Sequence, residues 1–352
     1  MDYNKFIDEL LTNLINEDGS DLHLGAGRKP AMRVSGQLIF LANQKPTTSA
    51  DMVGILNVIL GKEKTAKFLE TKEADFSYTF KSDTHLRGNA FFQRGGICMA
   101  LRLIPKAKSF EELNLPPILK TFTEKKQGFF LVVGPVGQGK STTLSTMINM
   151  INKNRACHIV TIEDPIEFVY EPDQSIIDQR EVGIDTADFP VALKSVFRED
   201  VNVIFIGEMR SPDTISAAVT AAETGHLVFS TLHTNNAAQT IDRIIDSFPP
   251  SQQDQIRLEL ASSLIGVFSQ RLIPRITGGR IPAYELLINN NAVANLIREK
   301  RTHEINNVIE TSSEQGMVDM NRSLVALVQK GEISLEVAYQ YSINPKSLER
   351  ML

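Results

Sequence analysis

Cysteine is scarce in this sequence, because the 352 residues include only Cys98 and Cys157. Two thiolates are too few for a four-cysteine zinc site, and their wide separation excludes a CxxC redox motif. Both side chains are therefore predicted to be buried as small apolar residues.

Long apolar runs are also missing. No stretch approaches the roughly 18 residues that a membrane-spanning helix requires. The amino terminus, MDYNKFIDELL, has neither a basic segment nor a small-residue cleavage site. These absences predict a cytoplasmic chain without a signal peptide.

Neither sign of charge is in large excess, with 37 basic and 42 acidic residues. The net charge therefore does not favour binding of nucleic acid by the chain as a whole, although it is compatible with a local basic patch.

The length allows two domains with separate cores. Residues 1–104 combine helical periodicity with strand-like alternation and end in an arginine-rich hairpin, which predicts a small α+β domain. Residues 105–118 contain three prolines and mixed charge, and we predict that they form a linker.

Residues 119–284 show a different pattern. Four nearly continuous apolar runs, FFLVVG, HIVTIE, VIFIGE and HLVFSTLH, alternate with helical segments. Such runs are typical of parallel strands that are buried on both faces of a sheet, so the fold class is predicted to be α/β. In open sheets of this kind, ligands bind at the carboxyl ends of the strands. Residues 285–352 are predicted to be helical.

A glycine-rich stretch follows the first of these runs and precedes a helical segment. It comprises Gly134, Pro135, Val136, Gly137, Gln138, Gly139, Lys140, Ser141 and Thr142. The spacing is that of a P-loop, in which backbone N–H groups and the positive end of a helix hold phosphate oxygens. The stretch predicts a nucleotide site, with Lys140 at the β- and γ-phosphates and Ser141 as a ligand of Mg²⁺.

Hydrolysis also needs an acidic group beside the phosphates. Glu208 ends the run VIFIGE and is predicted to orient and polarise the attacking water. Glu163 ends the run HIVTIE and Asp164 follows it, and a second carboxylate at this strand end is predicted to hold Mg²⁺ through water. For all three carboxylates, a purely structural role at a strand end stays open. His233 lies at the carboxyl end of its strand and is predicted to sense the γ-phosphate, whereas His226 lies at the other end and is predicted to pack.

A cation for the transition state is not predicted in the loops of the second domain. The hairpin of the first domain carries Arg87, Arg94 and Arg102. The residues alone favour solvated arginines at strand edges.

Together these motifs resemble the secretion-superfamily ATPases, and within them the PilT-like family of type IV pilus retraction ATPases. The resemblance rests on GPVGQGKST, on TIEDPIEF (161–168) as an Asp box, on IFIGEMR as a Walker B segment and on TAAETGHLVFSTLHT (220–234) as a His box. SDLHL, RGNAFFQRGG and VANLIRE (293–299) also fit, so the resemblance runs along almost the whole chain.

The resemblance implies a homohexameric ring of RecA-like P-loop ATPase domains, each preceded by a PAS-like domain, with ATP and Mg²⁺ as ligands. It implies catalysis by Glu208, metal and water binding by Glu163, and contacts from Arg87, Arg94 and Arg102 to the ATP of a neighbouring subunit. The implied motor works at the inner face of the cytoplasmic membrane. There it would act on a PilC-like platform protein to retract pili in twitching motility.

The sequence departs from this family at several positions. Val136 and Gln138 stand where Thr and Ser are usual, residues 201–202 replace Pro-Asp, and residues 211–213 replace Asp-Leu-Glu. The P-loop glycines and Lys140 are retained, so phosphate binding is still expected. Gln138 is predicted to alter water access near the γ-phosphate, with a sign that the sequence leaves open.

Four alternatives remain. Pilus extension and type II secretion ATPases are usually longer at the amino terminus and carry four zinc-binding cysteines, which argues against them. A PilU-like accessory retraction ATPase shares every motif. A non-hydrolysing nucleotide-gated partner is disfavoured by Glu208, Glu163 and His233. A nucleic-acid translocase is disfavoured by the net acidity and by the lack of an aromatic and basic run.

Overall fold

The computed structural model describes residues 1–34, 36–81 and 84–352. The chain divides into two compact units, Met1–Lys106 and Ala107–Leu352.

Within the described part of the first unit, six strands form one sheet. The elements are α1 (Tyr3–Asn16), β1 (Gly19–Gly25), β2 (Ala31–Val34), β3 (Gln37–Phe40), α2 (Ser49–Leu60), α3 (Lys62–Thr71), β4 (Glu73–Phe80), β5 (Thr84–Gln93) and β6 (Gly96–Leu103). The strand order is β3-β2-β1-β6-β5-β4, with antiparallel neighbours throughout.

The helix α1 illustrates why the first unit folds in this way. Its apolar residues recur every three or four positions, so that Phe6, Leu10 and Leu14 are buried in the core that the strands also line. Asp2 caps the amino end of α1 by accepting a hydrogen bond from the backbone N–H of Lys5. The helix therefore forms because one face can be buried and its first turn is capped.

The hairpin of β5 and β6 closes through a two-residue turn. Gln93 pairs with Gly96, which leaves Arg94 and Gly95 between the strands. Both have positive φ angles, 48° and 79°, as the hairpin turns that match strand twist require. The turn thus holds Arg94 at the tip of the hairpin.

The second unit contains the longer series of elements. They are α4 (Leu119–Thr123), β7 (Gly128–Val133), α5 (Lys140–Asn154), β8 (His158–Glu163), β9 (Ile176–Glu181), α6 (Phe189–Val196), β10 (Val203–Ile206), α7 (Pro212–Glu223), β11 (Leu227–Leu232), α8 (Ala237–Asp246), α9 (Pro250–Ser263), β12 (Leu264–Pro274), β13 (Arg280–Ile288), α10 (Asn291–Arg298), α11 (Ile305–Thr311), α12 (Met320–Gln329), α13 (Leu335–Tyr341) and α14 (Pro345–Met351).

The sheet of the second unit has the order β13-β12-β7-β11-β10-β8-β9. Only β12 and β13 pair in antiparallel fashion; the other neighbours are parallel. Every residue of β7, β10 and β11 is buried, because helices cover both faces of a parallel sheet. The carboxyl ends of these strands therefore meet along one edge, as the apolar runs predict.

The stretch from Ala107 to residue 118 is part of the second unit. Phe110 and Leu115 are buried in the hydrophobic cluster that includes Phe122 and Phe130. Instead of spanning freely between two cores, this part of the proline-containing stretch packs along one of them, because its apolar side chains find partners there.

The carboxyl-terminal region begins with a strand. β13 continues to Ile288, so the helices that the sequence predicts from residue 285 start with α10. The last three helices bury a cluster of their own together with Ile273 and Ile281 from β12 and β13. Arg275 on the loop after β12 forms an ion pair with Glu332, which further ties the helices to the sheet.

The structure bears on the predictions about membrane-spanning helices and about the two cysteines. In the described part of the chain, no helix combines the length and the apolar character needed to cross a bilayer. Cys98 is buried as predicted, but Cys157 is only half-buried and its Sγ lies 3.3 Å from the Oγ of Ser175. Cys157 packs against the cluster that includes Phe122 and Phe130, as an apolar residue would, but the prediction that it is buried is wrong.

Candidate active site

The P-loop begins where β7 ends. Gly134, Gly137 and Gly139 have φ angles of 148°, 76° and 76°, and α5 starts directly afterwards at Lys140. These angles are accessible to glycine and strained for other residues. The glycines thus allow the backbone to curl in front of the amino end of α5, where free N–H groups are available for phosphate.

Lys140 is buried although it carries a charge. Its ammonium donates hydrogen bonds to the carbonyl oxygens of Gly134 at 2.9 Å and Pro135 at 3.0 Å, and it lies 3.2 Å from Nδ1 of His233. Burial lowers the pKa of Lys140, and the neighbouring carboxylate of Glu208 acts in the opposite direction. A partly desolvated ammonium attracts a bound anion more strongly than a solvated one.

The P-loop lines a cavity of about 510 Å³, a size that suits a nucleotide-sized ligand. The cavity brings residues 136–142 together with Glu163, Asp164, Glu208 and His233. The candidate residues of the second unit therefore line one cavity, with the exception of Gly134 and Pro135. The carbonyl oxygens of these two residues accept hydrogen bonds from Lys140, which does line the cavity.

The side chains of Val136 and Gln138 are placed differently. Val136 is 79% exposed. The Oε1 of Gln138 accepts a hydrogen bond of 2.7 Å from the backbone N–H of Leu272 on β12. The side-chain oxygen of Gln138 is thus engaged by the sheet, and its effect on water access stays a prediction.

Glu163 is the last residue of β8 and is 3% exposed. Its carboxylate accepts hydrogen bonds from the hydroxyl of Thr161 at 2.7 Å and from the backbone N–H of Glu167 at 3.3 Å. Burial raises the pKa of Glu163 to about 7, against the effect of these hydrogen bonds. Asp164, the next residue, is exposed and lines the same cavity.

Glu208 follows β10 by two residues and has a partner at each carboxylate oxygen. Arg210 donates to Oε2 at 2.8 Å, and Nε2 of His233 lies 3.2 Å from Oε1. Burial acts to raise the pKa of Glu208, but the hydrogen bond and charge of Arg210, together with the nearby charge of Lys140, outweigh it and lower the pKa. The carboxylate is therefore ionised at neutral pH.

His233 connects Lys140 to Glu208. Because the ammonium of Lys140 can only donate, Nδ1 of His233 is the acceptor, and the ring proton lies on Nε2, facing Glu208. His226, at the amino end of β11, instead bonds the carbonyl oxygen of Ala221 and packs edge-on against Phe197. The two histidines thus differ as their positions along the strand predict.

The three arginines of the hairpin belong to the first unit, and all are exposed. Arg87 and Arg102 are direct partners across β5 and β6, and Arg94 lies in the turn. Nε of Arg102 donates at 2.8 Å to the buried carboxylate of Asp21 on β1. Arg102 is thus held by an ion pair and is not simply a solvated edge residue.

The second unit also supplies cations, contrary to the sequence-based expectation. Arg210 and Arg280 both line the cavity. Arg280 starts β13, and the antiparallel pairing of β13 with β12 opposes it to Pro274. For Arg280 the expectation was wrong because strand pairing brings it to this edge and no local pattern reports it. Arg210, two residues after Glu208 in the segment IFIGEMR, could have been found from the sequence.

Two further residues support the site and are not among the sequence-based candidates. Gln270 on β12 is buried and contacts both the P-loop and α5. Glu285 on β13 is buried and accepts hydrogen bonds from the N–H of Ala237, at the start of α8, and from the hydroxyl of Ser269. Their only signal in the sequence is a polar letter inside an apolar run, in VFSQRLI and in AYELLI.

The other departures from the related family have local structural roles. Asn202 pairs with His158 through its backbone, and its Oδ1 also accepts from the N–H of His158. Ser211 caps α7 by accepting from the N–H of Thr214, and Pro212 occupies the first turn. Asn202 therefore holds the start of β8, and Ser211 and Pro212 start α7.

The donor set fits Mg²⁺ held together with phosphate. The described residues contain no group of three or more His, Cys, Asp or Glu side chains that could hold a metal ion on their own. The cavity instead offers carboxylates and the hydroxyls of Ser141 and Thr142. Mg²⁺ is usually bound by one or two protein oxygens together with substrate phosphates and waters, which is the arrangement these residues allow.

Comparison with known proteins gives a consistent result. Residues 3–278 match the family described as Type II/IV secretion system protein. The chain is 42% identical to the type IV pilus retraction ATPase PilT of Pseudomonas aeruginosa, over 97% of this chain and 99% of that protein. It is 44% identical to a twitching motility protein of Neisseria gonorrhoeae, over 91% of this chain and 86% of that protein.

A solved structure resembles the whole chain. The crystal structure of the pilus retraction motor PilT with bound ADP superposes with a TM-score of 0.90 and 44% sequence identity, covering 98% of this chain and 99% of that one.

Proposed function

The chain belongs to the type II/IV secretion system protein family, and from this premise we propose that it is an ATPase motor that powers type IV pilus retraction in twitching motility. The observation that carries the proposal is the meeting of the P-loop, Lys140, Glu208 and His233 in one cavity. The full-length similarity to retraction ATPases supports retraction in preference to pilus extension or type II secretion.

In this function the P-loop N–H groups and the amino end of α5 bind the phosphates of ATP. Lys140 offsets the charge of the β- and γ-phosphates. Ser141 and Glu163 hold Mg²⁺, with Glu163 acting partly through water. Mg²⁺, when bound, supplies positive charge that stabilises the oxygens of the transferred phosphoryl group.

Glu208 is the residue that we assign to the attacking water. Its lowered pKa keeps the carboxylate ionised at neutral pH, so that it can orient water and accept a proton. His233 donates to one oxygen of this carboxylate and so restricts its orientation. The contact of His233 with Lys140 connects the phosphate-binding side of the cavity to the water-binding side.

The proposed assembly is a homohexameric ring, built from RecA-like second units and PAS-like first units. Arg87, Arg94 and Arg102 would enter the site of a neighbouring subunit, so that hydrolysis in one subunit is coupled to movement of the next. The ring would stand at the inner face of the cytoplasmic membrane, where a PilC-like platform protein is its proposed partner. A PilU-like paralogue is a second candidate partner.

The enzymatic part is tested by ATP hydrolysis and Mg-ADP binding with the full chain. Lys140→Ala should abolish both. Glu208→Gln should bind Mg-ADP like the parent and lose at least about a hundredfold in kcat, because the amide cannot accept a proton. Lys194→Ala, which removes an exposed lysine of α6 outside the cavity, is the matched control. Parental turnover in Glu208→Gln would exclude this residue as the catalytic base.

The direction of the motor is tested by counting surface pili in cells that lack the gene. More or longer pili together with lost twitching support retraction. Bald cells would mean that the chain drives extension. Near-normal twitching would assign it the accessory, PilU-like role.

A further inference from the structure

Two glutamines hold the P-loop against β12, one on the loop and one on the strand. Gln270, buried in the middle of β12, donates from Nε2 to the carbonyl oxygen of Gln138 at 2.7 Å. Its Oε1 accepts from the hydroxyl of Thr143 on α5 at 2.6 Å. One side chain therefore holds both the P-loop backbone and the first turn of the helix that follows it.

Gln138 makes the reciprocal contact. Its Oε1 accepts from the backbone N–H of Leu272 at 2.7 Å. β7 ends at Val133, which is opposite Ser269, so Leu272 lies beyond the part of β12 that β7 pairs with. The side chain of Gln138 thus supplies an acceptor that the neighbouring strand no longer offers.

The glycines of the P-loop are fitted to the same strand. A Cβ at position 134 would lie 2.4 Å from the carbonyl oxygen of Gln270, and one at position 139 would lie 3.1 Å from its Nε2. The loop and β12 are therefore in contact at both ends of the loop. The shape of the phosphate-binding backbone is set in part by β12 and by side chains on either side of the contact.

We propose that Gln138 and Gln270 form a clamp that holds the P-loop in its phosphate-binding conformation, and that both are positioning residues for nucleotide. This inference rests on the proposed function. A loop that is already ordered loses less conformational entropy when it binds phosphate, so the clamp increases affinity without touching the ligand. Gln138 acts through its side chain on β12, while its backbone remains part of the phosphate-binding loop.

The test is isothermal titration of the full chain with Mg-ADP, using Gln138→Met, Gln270→Met and the double variant. Methionine keeps the length of glutamine but cannot make these hydrogen bonds. Each single variant should raise Kd about tenfold, which is the effect of losing one to two hydrogen bonds that hold the loop. The double variant should raise Kd by less than the product of the two, because both residues restrain the same loop.

Two further readouts separate positioning from a general loss of structure. The entropy of binding should become more unfavourable in Gln138→Met, and the rise in KM for ATP should exceed the fall in kcat. Gln255→Met is the matched control, because Gln255 is exposed on α9 and contacts only Glu259 among the described hydrogen bonds. Its Kd should equal that of the parent.

If Gln270→Met does not fold, Gln138→Met carries the test alone, since this side chain is only half-buried. A folded Gln138→Met with the parental Kd would overturn the clamp, and so would tighter binding. A parent chain that binds no Mg-ADP would instead overturn the proposed function, so the two failures are distinguishable.

Discussion

Particular strands of the two sheets differ in where they carry charged residues. In the first unit, β4 alternates between exposed and buried positions, and β5 leaves Arg87 exposed between buried neighbours. In the second unit, β7, β10 and β11 are buried at every position. Beside these strands the charged residues of the site come after the strand, as Lys140 and Glu208 do, or end it, as Glu163 ends β8, whereas β13 carries the buried Glu285 within the strand.

This difference follows from the coverage of each sheet. An antiparallel sheet with one open face can carry charge in mid-strand, because solvent reaches that face. A parallel sheet that is covered on both faces would have to bury such a charge, which is costly without a partner. Its chemistry is therefore confined to the edge where the strands end, and the groups gathered there are held by one another.

The close packing at this edge is broken most severely by Gly134→Ala. The new methyl group would lie 2.4 Å from the carbonyl oxygen of Gln270, at a φ of 148°. We expect kcat/KM for ATP to fall at least about a hundredfold, because the loop must move to relieve the contact.

Gly137→Ala is the matched comparison, since position 137 has a positive φ but open space around it. Its kcat/KM for ATP should fall only by the factor that corresponds to about 1–2 kcal/mol of backbone strain. Equal losses in kcat/KM for the two variants would show that the contact with β12 does not matter.

The proposed action of Arg102 on the site of a neighbouring subunit is tested by mixing two variant subunits. Lys140→Ala and Arg102→Ala should each be inactive alone. Equal amounts, allowed to exchange, should recover on the order of a quarter of the parental ATPase rate, because that share of interfaces combines two intact partners. Recovery is measured as the steady-state rate across mixing ratios.

The control mixes Lys140→Ala with Glu208→Gln. Both residues line the cavity of the same unit, so exchange cannot assemble an intact site and no activity should return. If Arg102→Ala behaves like this control at every ratio, Arg102 does not act on a neighbouring site.

A smaller effect is expected in the pH dependence of stability, where one buried carboxylate from each sheet is compared. Burial raises the pKa of Glu285 from 4.5 to about 6, despite hydrogen bonds from Ala237 and Ser269 that lower it. The unfolded chain therefore releases this proton at lower pH than the folded chain, so the carboxyl weakens the fold as pH rises from 4.5 to 6. Glu285→Gln should gain up to about 2 kcal/mol relative to the parent across this interval.

Asp21 in the first unit should show the opposite sign. Burial acts to raise its pKa, but hydrogen bonds from Ser20 and Arg102 and the charge of Arg102 lower it below 3.8. Its contribution is present above pH 3.8 and is lost as pH falls through the lowered pKa. Asp21→Asn should therefore cost about 1 kcal/mol at neutral pH and little in acid.

Both carboxylates are measured by urea unfolding at a series of pH values. Circular dichroism is the suitable signal, because the chain contains no tryptophan. The same sign of pH dependence for Glu285→Gln and Asp21→Asn would contradict the opposite pKa shifts of these two buried carboxylates.

Several parts of the site could be predicted because their signal is local. The P-loop glycines, Lys140 and Ser141 are neighbours along the chain, and the strand and helix that flank them have clear periodicity. Glu163, Glu208 and His233 could be placed at one edge because parallel strands bring their carboxyl ends together. The packing of residues 107–118 was harder to predict. Prolines indicate irregular backbone, but they do not indicate whether Phe110 and Leu115 are buried in a hydrophobic core.

By itself, the sequence determined the fold class, the P-loop and the carboxylates and histidine that face it, because each depends on short spacing or on the periodicity of one element. Only the tertiary structure decided what holds that group in place. Gln138 and Leu272 are 134 residues apart, and Thr143 and Gln270 are 127 apart. Contacts at such separations depend on strand order and register, which arise from the packing of the whole sheet and leave no pattern around either residue.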